Sequence, residues 1–457
     1  MRFSYNLKFL TRHLCRGSLA ILYLPVAHFC AVNPLPLRDG LVLADTHIMN
    51  SQSSVECKEA SMVAWARKRG IHLRKPLCLK RSQGKGIGVF LKSAVNEGDL
   101  LLSIPPSQIL CAENIELDPA IGHLVGPLRM AGLDDRGVLV LWLVHHLTQP
   151  TSHGWTPYLS MLPSEYDLSA DHLLLSNETI SGTPLAAAVA EMKKNISRQA
   201  NSVLKAIKLL DPPEPLKDLS SLELSRVWSY AHVLVLTRSS VLSKINPQSD
   251  WTEQPVCILP LVDFCNHSED PNAKVVLETD GSVNLVALRS ISLNEEVLIS
   301  YWPDKEPINC EQSLFSYGFL SNKDRFAFPG IALENSNQEP RKVIQKLILM
   351  DTRSGKTVND TVFLDEIESI LDYFAIECMQ ENDINSLVKN YVAERGIGAH
   401  SRAILEKGRR LARKKVLDIL TEWRDQVRYN HSRSAVISEY LKRLDEAVNQ
   451  ALAIIVP

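Results

Sequence analysis

The chain of 457 residues has almost no excess charge, with 50 basic residues against 52 acidic ones. Without a net basic field there is no overall footprint for DNA, RNA or an anionic membrane surface, so neither nucleic acid nor membrane is expected as a partner. Cys-x-x-Cys pairs are missing too. The nine cysteines, at positions 15, 30, 57, 78, 111, 257, 265, 310 and 378, are scattered, and no Cys/His spacing reads as a zinc site. No metal is therefore expected, and isolated thiols suit a reducing compartment. No internal repeat and no low-complexity tract interrupts the sequence.

Acidic residues are also missing from the start: Arg2, Lys8, Arg12, Arg16 and Arg38 all precede the first carboxylate, Asp39. A basic, acid-free leader predicts an organelle transit peptide, with the chloroplast as destination and the mitochondrion or cytosol as alternatives. The competing reading is a secretory signal, because residues 19–32 form a mostly apolar stretch. A membrane anchor is disfavoured, since Pro25 and His28 interrupt a run already short for a span. Sequons at Asn177, Asn195, Asn266 and Asn359 read as chance matches, Asn266 lying inside an apolar turn.

What is present is a full complement of core-forming residues, 45% of the chain, with room for two or three domains. Residues 1–55 read as leader and linker. The spacing of Met62, Val63 and Ala66 predicts a helix over 56–69, stopped by Gly70. Strands are expected at Ile87–Leu91 and at Leu100–Ile104, the latter closed by Pro105 and Pro106. A helical insertion follows at about 107–225, with long periodic segments at 136–148, 185–210 and 221–243. Short strands return at Val256–Val262, Ala273–Glu278, Val283–Leu288 and Val297–Tyr301, with a hairpin turn at Asp280-Gly281. Beyond about 326 the chain reads as helical, including 402–428 and an amphipathic 436–455. The basic run from Glu406 to Lys415 is the solvated face of a helix in this reading.

The most informative stretch is 258–272. An apolar run carries the backbone inward as far as Asp263, then Asn266, His267 and Ser268 follow, and Asp270-Pro271-Asn272 turns the chain. Unpaired, such buried polar groups cost roughly 1–3 kcal/mol each. They either satisfy one another in a tight turn or await a ligand.

Three separated segments resemble the SET-domain protein lysine methyltransferases of the Rubisco large-subunit methyltransferase-like group. Ser82-Gln83-Gly84-Lys85-Gly86-Ile87-Gly88-Val89 is similar to the family's opening glycine-rich strand pair. Asp263-Phe264-Cys265-Asn266-His267-Ser268 is similar to its Asp-x-x-Asn-His-Ser turn, and Glu295 to Tyr301, with Tyr317-Gly318-Phe319, to its closing block. Weaker echoes are Trp155, Tyr158, Leu159, Leu162 and Pro163, then Trp228 and Arg238. Trp302 stands where the family usually has glycine, and Lys85 where an acidic residue is common.

The resemblance implies an α+β protein: a SET-type fold of short strands over 56–325 with the helical insertion, followed at 326–457 by an all-helical domain of the substrate-binding type. It implies a monomer that passes a methyl group from S-adenosyl-L-methionine to a lysine of a non-histone protein. Tyr301 would be catalytic. Lys85, Gly86, Ile87, Arg238, Asn266 and His267 would bind the methyl donor, and Arg238, Asp263, Tyr317 and Phe319 the substrate. Two other functions stay open. Trp302 in the lysine channel would suit a SET-fold binding or assembly protein without turnover, and a histidine acceptor would make the chain a protein-histidine methyltransferase.

Read on residue chemistry alone, each position has a structural alternative. Tyr301 fits a core tyrosine with a bonded hydroxyl, and Gly86 and Gly88 fit a simple turn. Asn266 and His267 fit a self-satisfied turn, and Arg238 fits a cation at a helix C-terminus. Tyr317 and Phe319 fit core packing.

Overall fold

A computed structural model describes residues 52–82, 85–149, 154–176, 180–210, 212–241, 256–301, 310–321, 325–326, 364–394, 396–430 and 434–455. The leader, Asn177, Asn359 and Trp302 lie outside the described residues. The chain forms two compact units. One gathers the described residues of 28–170 and 192–305, the other those of 171–191 and 306–457.

The described strands all fall in the first unit. In chain order they are β1 (His72–Leu73), β2 (Leu77–Ser82), β3 (Gly86–Leu91), β4 (Leu100–Ile104), β5 (Leu110–Cys111), β6 (Ser239–Val241), β7 (Val256–Ile258), β8 (Asn266–His267), β9 (Ala273–Leu277), β10 (Val283–Ala287) and β11 (Glu296–Ile299). They make three small sheets, ordered β1-β4-β10-β9, β2-β3-β11-β8 and β5-β7-β6. The expected hairpin is present between β9 and β10. Gly281 takes φ +83° there, a conformation that favours glycine, and Asp280 accepts from the backbone and hydroxyl of Ser282.

The first helix, Gln52–Lys68, buries Met62, Trp65 and Ala66, while Val63 stays half-exposed. It ends at Gly70 (φ +82°), whose N–H donates to the carbonyl of Arg67. Helix Asp135–Leu147 is apolar on every side and correspondingly buried, including Trp142. Asp134 caps it by accepting from the N–H of Gly137. It packs along helix Ser221–Arg238, which opens with a capping box between Ser220 and Glu223. Trp228, fully buried on that second helix, donates its indole N–H to Gln199.

Two expected elements end early for physical reasons. The helix expected over 221–243 stops at Arg238, and the next three residues become β6, paired with β7. The strand expected over Val256–Val262 stops at Ile258. Leu261 turns to φ 76° and Val262–Phe264 form a short 3-10 turn, so the apolar run bends instead of extending. The two-residue strands are too short for a period to register, and β2 has no alternation to reveal it, since its first three residues are buried and Lys80 and Arg81 are exposed.

In the second unit, helices Ile367–Cys378, Glu381–Glu394, Ala399–Tyr429 and Ala435–Ile455 pack together. The buried carboxylate of Asp372 receives two bonds from Arg409, at 2.6 and 2.9 Å, tying the first of these helices to the third. No helix among the described residues is long and apolar enough to cross a membrane.

Candidate active site

β11 lies between β3 and β8, and this placement brings the three motif segments together. Its N-terminal half pairs antiparallel with β3, Val297 opposite Val89, and its C-terminal half pairs parallel with β8, Ile299 opposite His267. Tyr301 follows two residues after β11. Its backbone N–H donates to His267 Nδ1 at 3.2 Å and its phenol donates to the carbonyl of Cys265 at 3.0 Å. The His267 and Tyr301 ring centroids are 5.3 Å apart.

Asn272 sutures this arrangement. Fully buried, it donates to the carbonyl of Glu296 at 2.7 Å and accepts from the N–H of Leu298 at 2.8 Å. Its own backbone N–H reaches the carbonyl of Leu298, and Ser268 N–H reaches that of Ile299. The Asp-Pro-Asn segment therefore does more than reverse the chain: its last residue satisfies the edge of β11 that β8 is too short to cover.

The two glycines of β3 are required for different reasons. Gly86 has φ +82° and open space where a side chain would project, beside the exposed Lys85, whose ammonium donates to the carbonyl of His267 at 3.4 Å. At Gly88 the space is filled by the protein itself. A Cβ there would press into the Glu296 carboxylate and lie 2.9 Å from the side-chain nitrogen of Asn266. Those two groups bond to each other at 2.7 Å, and Ser82 Oγ holds the other carboxylate oxygen at 2.8 Å. One N–H of the Asn266 side chain is thus taken by Glu296. Glu296 and Ser82 were inside the quoted motifs, but nothing in the spacing revealed that they meet.

Asp263 and Arg238 find each other. Arg238 Nη1 donates to the main-chain oxygen of Asp263 at 3.0 Å and to its carboxylate at 3.2 Å, and the phenol of Tyr158 donates to the same carboxylate oxygen at 2.8 Å. The Asp263 side chain has no exposed surface. Arg238, expected to seek the carboxylate of a bound molecule, already has one from the fold, and Asp263, expected to meet substrate, faces inward. Burial pushes the Asp263 carboxyl upward, against the pull of Arg238 and Tyr158. Asp263 Oδ1 and Arg238 Nε have no hydrogen-bond partner among the described residues.

Tyr158 links this pair to an aromatic column. Trp65, Trp155 and Tyr158 are in mutual contact, Trp142 stands edge-on to Trp155 at 4.7 Å, and the Tyr158 ring meets Phe264 at 5.9 Å. Tyr158 and Trp155 had registered only as weak echoes. His267, partly buried, has its imidazole pKa lowered to about 4, chiefly by desolvation, so it is neutral at physiological pH. Tyr317 and Phe319 belong to the second unit, with ring centroids 5.9 Å apart.

Residues 86–302 match the SET domain family model. Over this stretch the chain is similar to SET domains. Curated relatives include SET domain-containing protein 8 of Schizosaccharomyces pombe, 26% identical over 252 residues, covering 54% of each chain. N-lysine methyltransferase SETD6 of Mus musculus is 24% identical over 53% of this chain and 50% of its own. Actin-histidine N-methyltransferase of Gallus gallus is 23% identical over 71% of this chain and 53% of its own. The chain thus spans about half the length of these curated relatives. Among solved structures, the SET domain of LSMT bound to lysine and AdoHcy superposes with TM-score 0.61 at 16% identity, over 88% of this chain and 91% of that one. Rubisco LSMT bound to AdoMet gives TM-score 0.55 at 16% identity, over 87% and 91%. At that identity the likeness concerns the fold.

Proposed function

We infer that the protein is an S-adenosyl-L-methionine-dependent protein N-methyltransferase whose acceptor is a lysine of a non-histone protein. The observation that carries this reading is the convergence of Tyr301 with the backbone of Asn266 and His267 through Cys265 and β11. The donor brings an electrophilic methyl carbon on a cationic sulfur. Main-chain groups at Lys85, Gly86 and Ile87, with Asn266 and His267, would hold it, and the open space at Gly86 fits such a role. A neutral His267 avoids setting a cation against a sulfonium. Arg238 and Asp263 would support this site from within the fold.

The phenol of Tyr301 donates to Cys265, and its oxygen would accept from the acceptor nitrogen. A neutral amine donating an N–H to that oxygen has its own lone pair oriented for in-line attack. The nitrogen–carbon bond forms as the carbon–sulfur bond breaks, the electron pair stays on sulfur, and the extra ammonium proton leaves to solvent. Desolvation of the lysine in a narrow channel favours the neutral amine that this step needs.

A second reading keeps the same site with a histidine acceptor, supported by the actin-histidine methyltransferases among the relatives. The basic, acid-free leader supports import into an organelle, which we read as the chloroplast with the mitochondrion or cytosol as alternatives, and the near balance of charge supports a protein partner over nucleic acid or membrane. We read the enzyme as a monomer.

The test is a cell extract incubated with recombinant protein and tritiated S-adenosyl-L-methionine, followed by mass spectrometry of the labelled band. Methyl-lysine supports the first reading and methyl-histidine the second. No labelling, together with no heat of donor binding by calorimetry, overturns both.

A further inference from the structure

We propose that Tyr158 is a positioning residue for Tyr301, acting through Asp263 and the turn that carries Cys265. This rests on the methyltransferase reading above.

Two side chains grip the turn at Asp263. Leu261 leaves ordinary backbone space at φ 76°, and Val262–Phe264 close as a single 3-10 turn, with Cys265 N–H on the carbonyl of Val262 at 2.9 Å. One short turn restrains little by itself. Its added restraint comes from Tyr158 and Arg238, which meet on Asp263 Oδ2, while Arg238 also takes the main-chain oxygen of the same residue. Both grip the next residue as well: the guanidinium lies 4.7 Å from the Phe264 ring centroid, and the Tyr158 ring meets Phe264 edge-on.

The residue after Phe264 is Cys265, whose carbonyl holds the phenol of Tyr301. Tyr158 is separated from Tyr301 by one carboxylate and two residues of backbone. Its hydroxyl is in the core, its ring is fixed by Trp65 and Trp155, and it contributes no surface to a ligand. The hydroxyl matters because the Asp263 carboxylate is wholly buried and its other oxygen has no hydrogen-bond partner among the described residues. Without Tyr158, Arg238 becomes the single side-chain donor to that carboxylate among the described residues, and the turn gains freedom to shift toward it. A displacement near 1 Å at the Cys265 carbonyl moves the Tyr301 oxygen out of line with the acceptor nitrogen, an effect able to cost on the order of 100-fold in rate.

The experiment compares wild type, Tyr158→Phe, Tyr301→Phe and the double variant. It follows tritium transfer from S-adenosyl-L-methionine into one band of the extract under single-turnover conditions, with donor affinity from calorimetry. Tyr158→Phe is expected to lower the rate at saturating donor by about 10-fold, with the donor Kd changed by less than about threefold. In the Tyr301→Phe background the same change is expected to have almost no further effect, because the group it positions is gone. Equal losses in both backgrounds, or an unchanged rate in Tyr158→Phe, overturn the proposal. If Tyr158→Phe does not fold, Asp263→Asn is put through the same cycle, with the same two outcomes decisive. Absence of transfer by wild type would instead count against the methyltransferase reading itself.

Discussion

The phenol of Tyr301 donates to the main-chain carbonyl of Cys265, 36 residues earlier, at 3.0 Å. A core tyrosine with a satisfied hydroxyl and a catalytic tyrosine with a fixed one share this contact. The difference lies in what surrounds it: the neutral imidazole of His267 and the glycine-bearing strand β3, brought alongside by β11.

Tyr301→Phe keeps the ring and removes the acceptor oxygen. Methyl incorporation is expected to fall by at least about 100-fold, while donor binding by calorimetry stays within a few-fold of wild type. Equal incorporation by the two proteins on a confirmed acceptor would remove Tyr301 from the chemistry.

Gly88→Ala puts a methyl group where the Glu296 carboxylate and the Asn266 amide meet. Those side chains must separate, losing a partly buried charged hydrogen bond worth about 1.5–3 kcal/mol. The melting temperature is expected to drop and donor affinity to weaken, because Asn266 is released from its place. A Gly88→Ala protein with wild-type melting and affinity would show that the crowding relaxes at no cost.

The pH dependence of His267 has a definite sign. Its folded pKa of about 4 lies below the ordinary 6.5, so the unfolded chain takes up the proton first. The group costs no stability above about pH 6.5, costs progressively more as pH falls toward 4, and changes little below that. The melting temperature should therefore fall more between pH 7 and pH 4 for wild type than for His267→Gln. Protonation of this ring near pH 6.5, seen by NMR, would contradict the burial argument.

Arg409→Met leaves the buried Asp372 carboxylate without the donor that gives it two bonds. A loss of about 3 kcal/mol is expected in denaturant unfolding of the helical unit. Asp372→Asn in the same background should recover part of it, since a neutral amide is cheaper to bury.

The ammonium of Lys85 reaches the carbonyl of His267 although 182 residues separate them, and no local pattern announces such a contact. Periodicity did announce the longer helices, because an apolar stripe such as Met62 and Ala66 must find a core whatever its partner. Asp280-Gly281 announced its hairpin for a local reason as well, since a left-handed residue is needed there. The three motif segments were legible as motifs, together with the order in which they occur.

The amino-acid order by itself determined where helices and the hairpin form, which residue types crowd the 258–272 turn, and which family that turn resembles, because these depend on neighbours a few positions away. Only the tertiary structure decided that Arg238 and Tyr158 would share the Asp263 carboxylate, that Gly88 makes room for Glu296 and Asn266, and that Asn272 completes β11. Each of these is a long-range pairing chosen to satisfy buried polar groups. Which of several chemically suitable partners is reached depends on how the chain closes, and not on the identity of the residues at either end.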